Sequence, residues 1–315
     1  MLDVVVTRRS RETASVAMIE FASATDELLP PFAAGDHVDV HLAEGLTRQY
    51  SLCNAPGERD IYRLGVMLAN KSRGGSRTMH ALKVGEKCRI SRPRNAFRLR
   101  EDAAKSILIG GGIGITPLMA MAYRLSDLGA AFELHYSARS KLHAAFYKSL
   151  SKSPFGSNIR WHFDNADGKT TFNPYESLAD PSDSAHLYVC GPSGFMDYIR
   201  EKAEELGWKR ENVHYETFEA LGPGADAREF VIHAKRSARD ITVRANQTAA
   251  QALSESGMRI SVSCEQGICG TCMVPLLDGE ADHKDSYQTQ AERTENPRFA
   301  LCCSRAISSR IVLDI

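Results

Sequence analysis

Four cysteines near the C-terminal end of the sequence follow the spacing C-x4-C-x2-C, then twenty-nine residues, then C. They are Cys264, Cys269, Cys272 and Cys302. Plant-type [2Fe–2S] clusters are held in this way, with three thiolates from one tight loop and the fourth from a distant segment. Gly267 and Gly270 lie inside the loop, where a chain that wraps a cluster needs permissive backbone angles and N–H groups directed at sulfur. The pattern favours an iron–sulfur cluster over structural zinc, because zinc sites usually pair two C-x2-C halves.

The remaining four cysteines are scattered, and one of them competes for the cluster. Cys303 adjoins Cys302, but only Cys302 gives the twenty-nine-residue gap, so we favour Cys302 as the fourth ligand. Cys53 and Cys88 are expected to be buried free thiols in a reducing compartment. Cys190, at the predicted end of a strand, is either a packed thiol or a residue that touches a nicotinamide.

Two stretches in the first hundred residues could bind a phosphorylated ring system. In Arg48-Gln49-Tyr50-Ser51-Leu52 a cation, an aromatic ring and a hydroxyl stand together at a strand end. Further on, Ser72-Arg73-Gly74-Gly75-Ser76 is a Gly/Ser turn before a predicted helix, where exposed backbone N–H groups can hold phosphate. Either stretch alone is weak evidence, but together, upstream of an iron–sulfur motif, they indicate a flavin.

A second glycine-rich turn opens the middle of the chain. The strand Ser106–Ile109 runs into Gly110-Gly111-Gly112-Ile113-Gly114-Ile115-Thr116-Pro117, with Thr116 predicted as helix N-cap and Pro117 as first helical residue. The turn lacks the complete GxGxxG fingerprint, but its place between strand and helix suits a pyrophosphate. Cys190-Gly191-Pro192 repeats the same geometry, so both turns should face one crevice.

The pattern of elements predicts three kinds of structure in succession. Short alternating strands from about residue 12 to 98, such as Ser15–Phe21 and His37–Leu42, predict a small antiparallel barrel. Alternating strands and helices follow, with strands at 132–137, 159–163, 186–190 and 213–216, and predict a parallel sheet. The small-residue stretch 221–227 reads as a linker before a last domain that opens at 229–234 and closes at 311–315.

Composition and charge argue against a nucleic-acid-binding, secreted or membrane-spanning protein. Thirty-nine basic residues balance thirty-nine acidic ones, so the charge gives no indication of nucleic-acid binding. The apolar run at the N-terminus is too short for a signal peptide, and the uncharged run 106–123 contains glycines and a proline and is short of a membrane span. We therefore expect a soluble, cytoplasmic protein.

With these motifs in order, the chain resembles the phthalate dioxygenase reductase family, which includes vanillate O-demethylase reductases, over essentially its whole length. The resemblance depends on Arg48-x-Tyr50-Ser51-Leu52, Gly74-Gly75-Ser76, the Gly110–Pro117 turn, Cys190-Gly191-Pro192, Glu216-x-Phe218 and the cluster motif. It implies an FMN-binding β-barrel domain at 1–101, an NAD-binding α/β domain at 102–222 and a plant-type [2Fe–2S] ferredoxin domain of β-grasp fold at 229–315. The implied cofactors are FMN, NADH and the [2Fe–2S] cluster.

The resemblance also implies roles for individual residues. Arg48 and the turn Gly74–Ser76 would hold the FMN phosphate, and Tyr50 and Ser51 would contact the isoalloxazine, with Ser51 near N5. Leu52 is also counted among the cofactor-binding residues. The nucleotide would be bound by Gly111, Gly112, Gly114, Thr116, Gly191 and Pro192. Cys190 and Phe218 would lie at the contact between nicotinamide and flavin. His80, His135 and His162 are interpreted as structural.

One position departs from the expected pattern. No acidic residue for a ribose 2′-OH stands at the end of the second strand of the α/β region, where the sequence has Ser137-Ala138-Arg139-Ser140. The family resemblance favours NADH, whereas Arg139 leaves NADPH open.

The implied function is a relay from NADH through flavin and cluster to the terminal component of an oxygenase of Rieske type, with the reductase a monomer. The alternatives are a reductase for another acceptor, such as a ferredoxin or haem protein, and a redox-sensing regulator without turnover. The segment Asp278–Glu295 carries Asp278, Glu280, Asp282, Asp285, Glu292 and Glu295 against Lys284 and Arg293. This segment is either a solvated loop or an acidic surface that docks on a basic patch of the partner.

Overall fold

The chain divides into two structural units, Met1–Phe218 and Glu219–Ile315. A computed structural model describes residues 1–25, 27–42, 46–69, 74–164, 171–218, 227–263, 265–285 and 287–315. The predicted linker 221–227 therefore lies almost wholly outside the described residues, as do Cys264, Ser72 and Arg73. Each unit has its own buried apolar core.

The first part of unit 1 is the predicted antiparallel barrel. Its strands are β1 (Leu2–Arg11), β2 (Val16–Ser23), β3 (Asp36–His41), β4 (Thr47–Ser51), β5 (Tyr62–Met67), β6 (Lys87–Ile90) and the short β7 (Arg94–Asn95). The order is β4-β3-β6-β1-β2-β5, with β7 paired to β3, and an antiparallel bridge between Leu52 and Leu64 joins the two outer strands. Helix α1 (Gly75–Ala81) follows β5. Strand β1 was not predicted, because its buried Val4 and Val6 are followed by a run rich in arginine.

The second part of unit 1 is a five-stranded parallel sheet with helices. The strands are β8 (Lys105–Gly111), β9 (Phe132–Ala138), β10 (Ile159–Phe163), β11 (Ala185–Cys190) and β12 (Val213–Glu216). The helices are α2 (Ile115–Asp127), α3 (Tyr147–Leu150), α4 (Pro174–Ser177) and α5 (Ser193–Glu205). The order β10-β9-β8-β11-β12 changes direction between β8 and β11, which is the switch point where open parallel sheets bind ligands.

Helix α2 begins earlier than predicted. Gly114 is its N-cap and Ile115 its first residue, so Thr116 lies within the first turn and is not the N-cap. The hydroxyl of Thr116 donates to the carbonyl oxygen of Ile113 at 3.0 Å, which satisfies this side chain inside the turn. The uncharged run 106–123 is thus divided between β8, the glycine turn and α2. None of the described helices combines the length and apolar character that a bilayer crossing requires.

Unit 2 is built on a five-stranded sheet with a helix packed near one edge. Its elements are β13 (Phe230–Ala234), β14 (Arg239–Val243), α6 (Ala249–Glu255), β15 (Met273–Asp278), β16 (Ala281–Asp282), α7 (Gln290–Glu295), β17 (Arg298–Ala300), β18 (Arg305–Ala306) and β19 (Arg310–Leu313). The order is β14-β13-β19-β15-β17, with β13 and β19 parallel at the centre. Thr248 begins α6 with a reciprocal capping box to Gln251. This mixed sheet is the expected β-grasp fold.

Strand β5 of the barrel packs directly on the start of α2. A Cβ atom at Gly65 would lie 2.6 Å from Cγ2 of Thr116 and 2.9 Å from the ring of Phe146. Such distances are below normal van der Waals contact, so only glycine allows the barrel and the α/β region to approach this closely. The absence of a side chain at position 65 therefore fixes the position of the glycine turn relative to the barrel.

We predict that Gly65→Ala lowers the free energy of unfolding by about 1–3 kcal/mol, because the added methyl overpacks this contact. Thr116→Ser in the same chain should recover part of the loss by removing Cγ2. Gly57→Ala is the matched control, since no atom lies within 4 Å of a Cβ there. Denaturant unfolding of the four proteins tests this, and equal stability of Gly65→Ala and the parent chain would contradict it.

Candidate functional site

The two glycine turns of the parallel sheet meet at its carboxyl edge. A Cβ at Gly114 would lie 2.2 Å from the carbonyl oxygen of Cys190, and one at Gly191 would lie 3.1 Å from Cα of Gly111. Gly112 has φ +56°, in the left-handed region that favours glycine. The structure therefore brings the two predicted turns together at the switch point, with backbone against backbone.

A buried polar pair joins this edge to the barrel. The hydroxyl of Ser51, at the end of β4, donates to Oε2 of Glu216, at the end of β12, across 3.4 Å. Both side chains are buried, at 5% and 7% exposure. Cys190 is the register partner of Glu216 in the neighbouring strand and is fully buried. Glu216 was noted in the sequence only as part of Glu216-x-Phe218 and was not predicted as a functional residue.

Burial controls the charge of this group. Desolvation raises the pKa of Glu216 from its ordinary 4.5 to about 8, and the hydrogen bond from Ser51 only partly opposes this. Desolvation, with the nearby Glu216, also raises the pKa of the Cys190 thiol well above its ordinary value. At neutral pH the site therefore holds a protonated carboxyl beside a protonated thiol, and Glu216 can take up or release a proton close to physiological pH.

The predicted phosphate-binding residues also lie together. A Cβ at Gly75 would lie 2.6 Å from both Cγ and Nε of Arg48, so the arginine side chain crosses the turn where only glycine fits. Nη1 of Arg48 donates to the carbonyl oxygen of Thr47 at 2.8 Å, which orients the guanidinium. Gly74 has φ +102° and precedes α1, and the hydroxyl of Ser76 accepts a hydrogen bond from the backbone N–H of Ala69. A guanidinium over a glycine turn fits a phosphate group.

The other residues expected at the flavin and nicotinamide differ in exposure. Tyr50 is half-buried, and burial raises the pKa of its hydroxyl to about 12, so the ring is neutral. Leu52 is fully buried in the barrel core and forms the bridge to Leu64, so its side chain is a packing residue in this structure. Phe218 is 39% exposed and Pro192 is exposed, so both offer apolar surface at this edge.

The cysteine loop of unit 2 has the backbone that a tightly wound loop needs. Glu265, Gly267 and Gly270 all have left-handed φ angles, of 58°, 73° and 72°. A Cβ at Gly267 would lie 2.7 Å from Sγ of Cys303 and 2.8 Å from Cα of Asp285. A Cβ at Gly270 would lie 2.4 Å from the ring of Tyr287. The loop therefore depends on both glycines for its shape and for its contact with neighbouring segments.

The structure brings together two of the four predicted cluster ligands. Cys272 and Cys302 are buried with their thiols in hydrogen-bonding contact, and this contact, together with burial, raises the pKa of Cys272. Cys269 is half-buried and directs its thiol to Oγ1 of Thr271 at 3.3 Å. Cys264 lies outside the described residues, and among the described ones no three potential metal-binding side chains converge on one point. Adjacent buried thiols on a glycine loop fit a cluster, which binds them as thiolates.

Asp285 does not belong to an exposed acidic surface. It is 1% exposed, and its carboxylate accepts from the backbone N–H of Gln288 at 2.9 Å and from the Gln288 amide at 3.2 Å. Its backbone oxygen accepts from Arg293, and its Cα packs on Gly267. The hypothesis that Asp285 takes part in docking is therefore wrong, because this residue supports the cluster loop from inside.

The three histidines interpreted as structural are engaged in the fold. His80 hydrogen-bonds through Nε2 to the carbonyl oxygen of Val66 at 2.9 Å. His135 stacks on His162 with Nδ1 3.0 Å from Nε2 of its neighbour. Burial, followed by the charge of His162, lowers the pKa of His135 to about 4, so His135 is neutral at physiological pH.

Comparisons with known proteins give a consistent result over the whole chain. The family profile described as "2Fe-2S iron-sulfur cluster binding domain" matches residues 232–306. A vanillate O-demethylase oxidoreductase of Pseudomonas sp. (strain HR199 / DSM 7063) is 44% identical over 317 residues, covering 100% of both chains. The beta subunit of a heme-dependent oxidative N-demethylase of Ectopseudomonas mendocina (strain ymp) is 36% identical, covering 91% of this chain and 90% of its own.

A solved structure shows the same architecture. Phthalate dioxygenase reductase, described as a modular structure for electron transfer from pyridine nucleotides to [2Fe–2S], aligns with TM-score 0.77 and 32% identity. The alignment covers 100% of this chain and 98% of that chain. The expected order of barrel, α/β region and cluster domain is thereby confirmed.

We predict that Glu216→Gln removes a pH-dependent loss of stability. Between the unfolded pKa of 4.5 and the folded pKa of about 8, the folded chain keeps a proton that the unfolded chain loses. Stability should therefore fall as pH rises through this window, by at most about 1.4 kcal/mol per pH unit from this group. Denaturant unfolding at several pH values should show a flatter profile for Glu216→Gln. Glu58→Gln, at an exposed site, is the control, and parallel profiles for Glu216→Gln and the parent chain would contradict the prediction.

We predict that Cys302, and not Cys303, is the fourth cluster ligand. Cys303→Ser should keep the visible and EPR spectra of a [2Fe–2S] cluster, because its thiol packs on Gly267 beside the site. Cys302→Ser should lose the cluster or change its spectrum, since a ligand is replaced. Iron and sulfide analysis with both spectra makes the measurement, and the reverse pattern would assign the ligand to Cys303.

Proposed function

We propose that this chain, which belongs to the phthalate dioxygenase reductase family, holds NADH, FMN and a [2Fe–2S] cluster through the residues named below. It is an oxidoreductase component of an oxygenase or demethylase system. When bound, FMN would supply the conversion of the two electrons of NADH into single electrons for the cluster and the oxygenase partner, and the residues of this chain would hold and orient these groups. The observation that carries the residue assignment is the contact of Ser51 with Glu216, which joins the barrel to the nucleotide-binding edge.

Arg48 and the turn Gly74–Ser76 hold the FMN phosphate in this proposal. The support is the guanidinium that crosses Gly75, where no side chain can intervene. Tyr50 and Ser51 contact the isoalloxazine, with the Ser51 hydroxyl near N5, and Leu52 supports them from the barrel core. Glu216, through Ser51, keeps a proton next to this position, since its carboxyl is protonated at neutral pH.

The nucleotide occupies the edge where the two glycine turns meet. Gly111, Gly112 and Gly114 allow the pyrophosphate to approach the start of α2, and Gly191 and Pro192 form the opposite wall. Thr116 fixes the turn by its bond to Ile113. Cys190 and Phe218 flank the nicotinamide, one as a neutral buried thiol and the other as an exposed ring.

Cys264, Cys269, Cys272 and Cys302 bind the cluster in this proposal. The support is the paired thiols of Cys272 and Cys302 and the glycine loop before them. The partner is a terminal oxygenase of Rieske type, and the name of the relative suggests O-demethylation of an aromatic methyl ether such as vanillate. The protein acts as a monomer in the cytoplasm. This compartment is reducing and keeps the buried thiols in their reduced form.

A haem-dependent partner is the second candidate. The observation that favours it is the 36% identity to the beta subunit of a heme-dependent oxidative N-demethylase. Both candidates require the same route from NADH to the cluster and differ only in the acceptor, so assays with a Rieske-type and a haem-type terminal component distinguish them.

Anaerobic titration with NADH tests the relay. We expect flavin absorbance to bleach first and the visible bands of the cluster to fade afterwards. Arg48→Met should weaken FMN binding by about ten- to a hundredfold, since one charge-assisted phosphate contact is lost. Arg89→Met, at an exposed site on β6, is the control and should bind FMN like the parent chain. Bands that never respond to NADH would contradict the function, and equal FMN affinity of both variants would contradict the role of Arg48.

A further inference from the structure

The turn after β9 lies beside the pyrophosphate-binding edge and carries no acidic residue. Ser137 of β9 is the register partner of Gly111, and Arg139 stands two residues further, about 7 Å along the chain. In dinucleotide-binding sheets this position faces the ribose of the adenosine, where an Asp or Glu binds the 2′-OH. From residue 137 to 146 the sequence has no Asp or Glu, but has Arg139, Lys141 and His143.

The basic side chains of this turn face solvent. Arg139, Lys141 and His143 are all exposed, and no described carboxylate forms an ion pair with Arg139. Lys141 places Nζ 4.5 Å from the ring centroid of Tyr147, which keeps this cation near the turn. Among the described residues, the guanidinium of Arg139 is thus an accessible donor without a partner carboxylate, at the position where an NADH-specific site would have one.

Hydroxyl groups accompany the cations. The Ser140 hydroxyl hydrogen-bonds to Nδ1 of His143 at 2.8 Å, which ties the turn together. The Ser137 hydroxyl is enclosed and has no hydrogen-bond partner within the described part of the chain. A guanidinium with neighbouring hydroxyls is the set of groups that proteins use for phosphate.

We propose that Arg139 and its turn form a subsite for the 2′-phosphate of NADPH, so that the protein accepts NADPH in addition to NADH. This inference rests on the proposed function, since it needs the nucleotide at the edge formed by Gly111 and Gly114. Arg139 supplies the charged contact, and Ser140 shapes the turn from which it projects. Arg139 is then a specificity-determining residue, because it contacts a group that NADH lacks.

One carboxylate approaches this turn from the next strand. The backbone N–H of Asp164, directly after β10, donates to the carbonyl oxygen of Ala138 at 3.3 Å, and the Asp164 side chain is exposed. If Asp164 were the ribose ligand, it would bind a 2′-OH and repel a 2′-phosphate. The experiment below separates the two roles.

The test uses three small nucleotides as competitors of NADH with the FMN-loaded protein, and also measures their binding by calorimetry. 2′,5′-ADP carries the 2′-phosphate, 3′,5′-ADP has the same charge with the phosphate moved, and 5′-AMP lacks it. We expect 2′,5′-ADP to bind about tenfold or more tightly than either of the others, as one charge-assisted contact predicts. Added salt should reduce this preference.

Variants assign the preference to a residue. Arg139→Ala should abolish the tenfold advantage of 2′,5′-ADP and leave 5′-AMP binding unchanged, whereas Arg160→Ala, which removes an exposed guanidinium nearer the opposite end of β10, should leave the advantage intact. Asp164→Asn should not weaken 5′-AMP or NADH. A parent chain without preference for 2′,5′-ADP, equal losses for all three ligands in Arg139→Ala, or lost NADH binding in Asp164→Asn would overturn the proposal. Reduction of the flavin by NADH would continue in each of the first two cases, which separates this failure from failure of the proposed function.

Discussion

Close packing of backbone at the carboxyl edge of the parallel sheet is the constraint on which the proposed nucleotide site depends. The carbonyl oxygen of Cys190 occupies the space that a side chain at position 114 would need, 2.2 Å from its Cβ. Because this contact excludes a side chain, the first glycine turn rests on the end of β11 and α2 can begin at Ile115. On the other side, the missing side chain of Gly65 allows the barrel to reach the same turn. Gly65 and Gly114, which are far apart in the sequence, thus allow the glycine turn to pack closely against both the barrel and the end of β11.

This packing has an electrostatic consequence. The edge is buried, so a carboxyl placed there keeps its proton at neutral pH, and desolvation raises the pKa of Glu216 to about 8. Ser51 donates a hydrogen bond to that carboxyl, and it belongs to the barrel strand that is expected to contact the flavin. The Glu216 carboxyl could therefore release or accept a proton in response to charge that develops near the Ser51 hydroxyl. The same desolvation keeps Cys190 a thiol, which suits an apolar contact and not a nucleophile.

Local sequence patterns predicted most of the fold but not contacts between distant segments. The strands of the parallel sheet were predicted closely, as the bounds Ile159–Phe163 and Val213–Glu216 show, although both are edge strands that are only partly buried. The N-cap was assigned to Thr116 from its residue type, whereas a tertiary contact at Gly114 sets the helix start. The role of Glu216 depends on burial and on a partner 165 residues away, neither of which periodicity reveals. The cluster spacing was readable because the metal, rather than packing, dictates it.

The acidic segment near the cluster loop shows how structure narrows a hypothesis based on charge. Asp285 is buried against Gly267 and Gln288, and Asp282 pairs with Lys284 at 2.9 Å, so neither offers a free negative charge. Asn296 binds the carbonyl oxygen of Gly279 and the N–H of Ala281, which joins the hairpin that carries Glu280 to the end of α7 that carries Glu295. Glu280 and Glu295 are both exposed, and the contacts of Asn296 bring the two stretches that carry them together. A basic partner would be attracted to the exposed carboxylates and not to the segment as a whole. A carboxylate that is buried or already paired adds little to the electrostatic attraction of a partner protein.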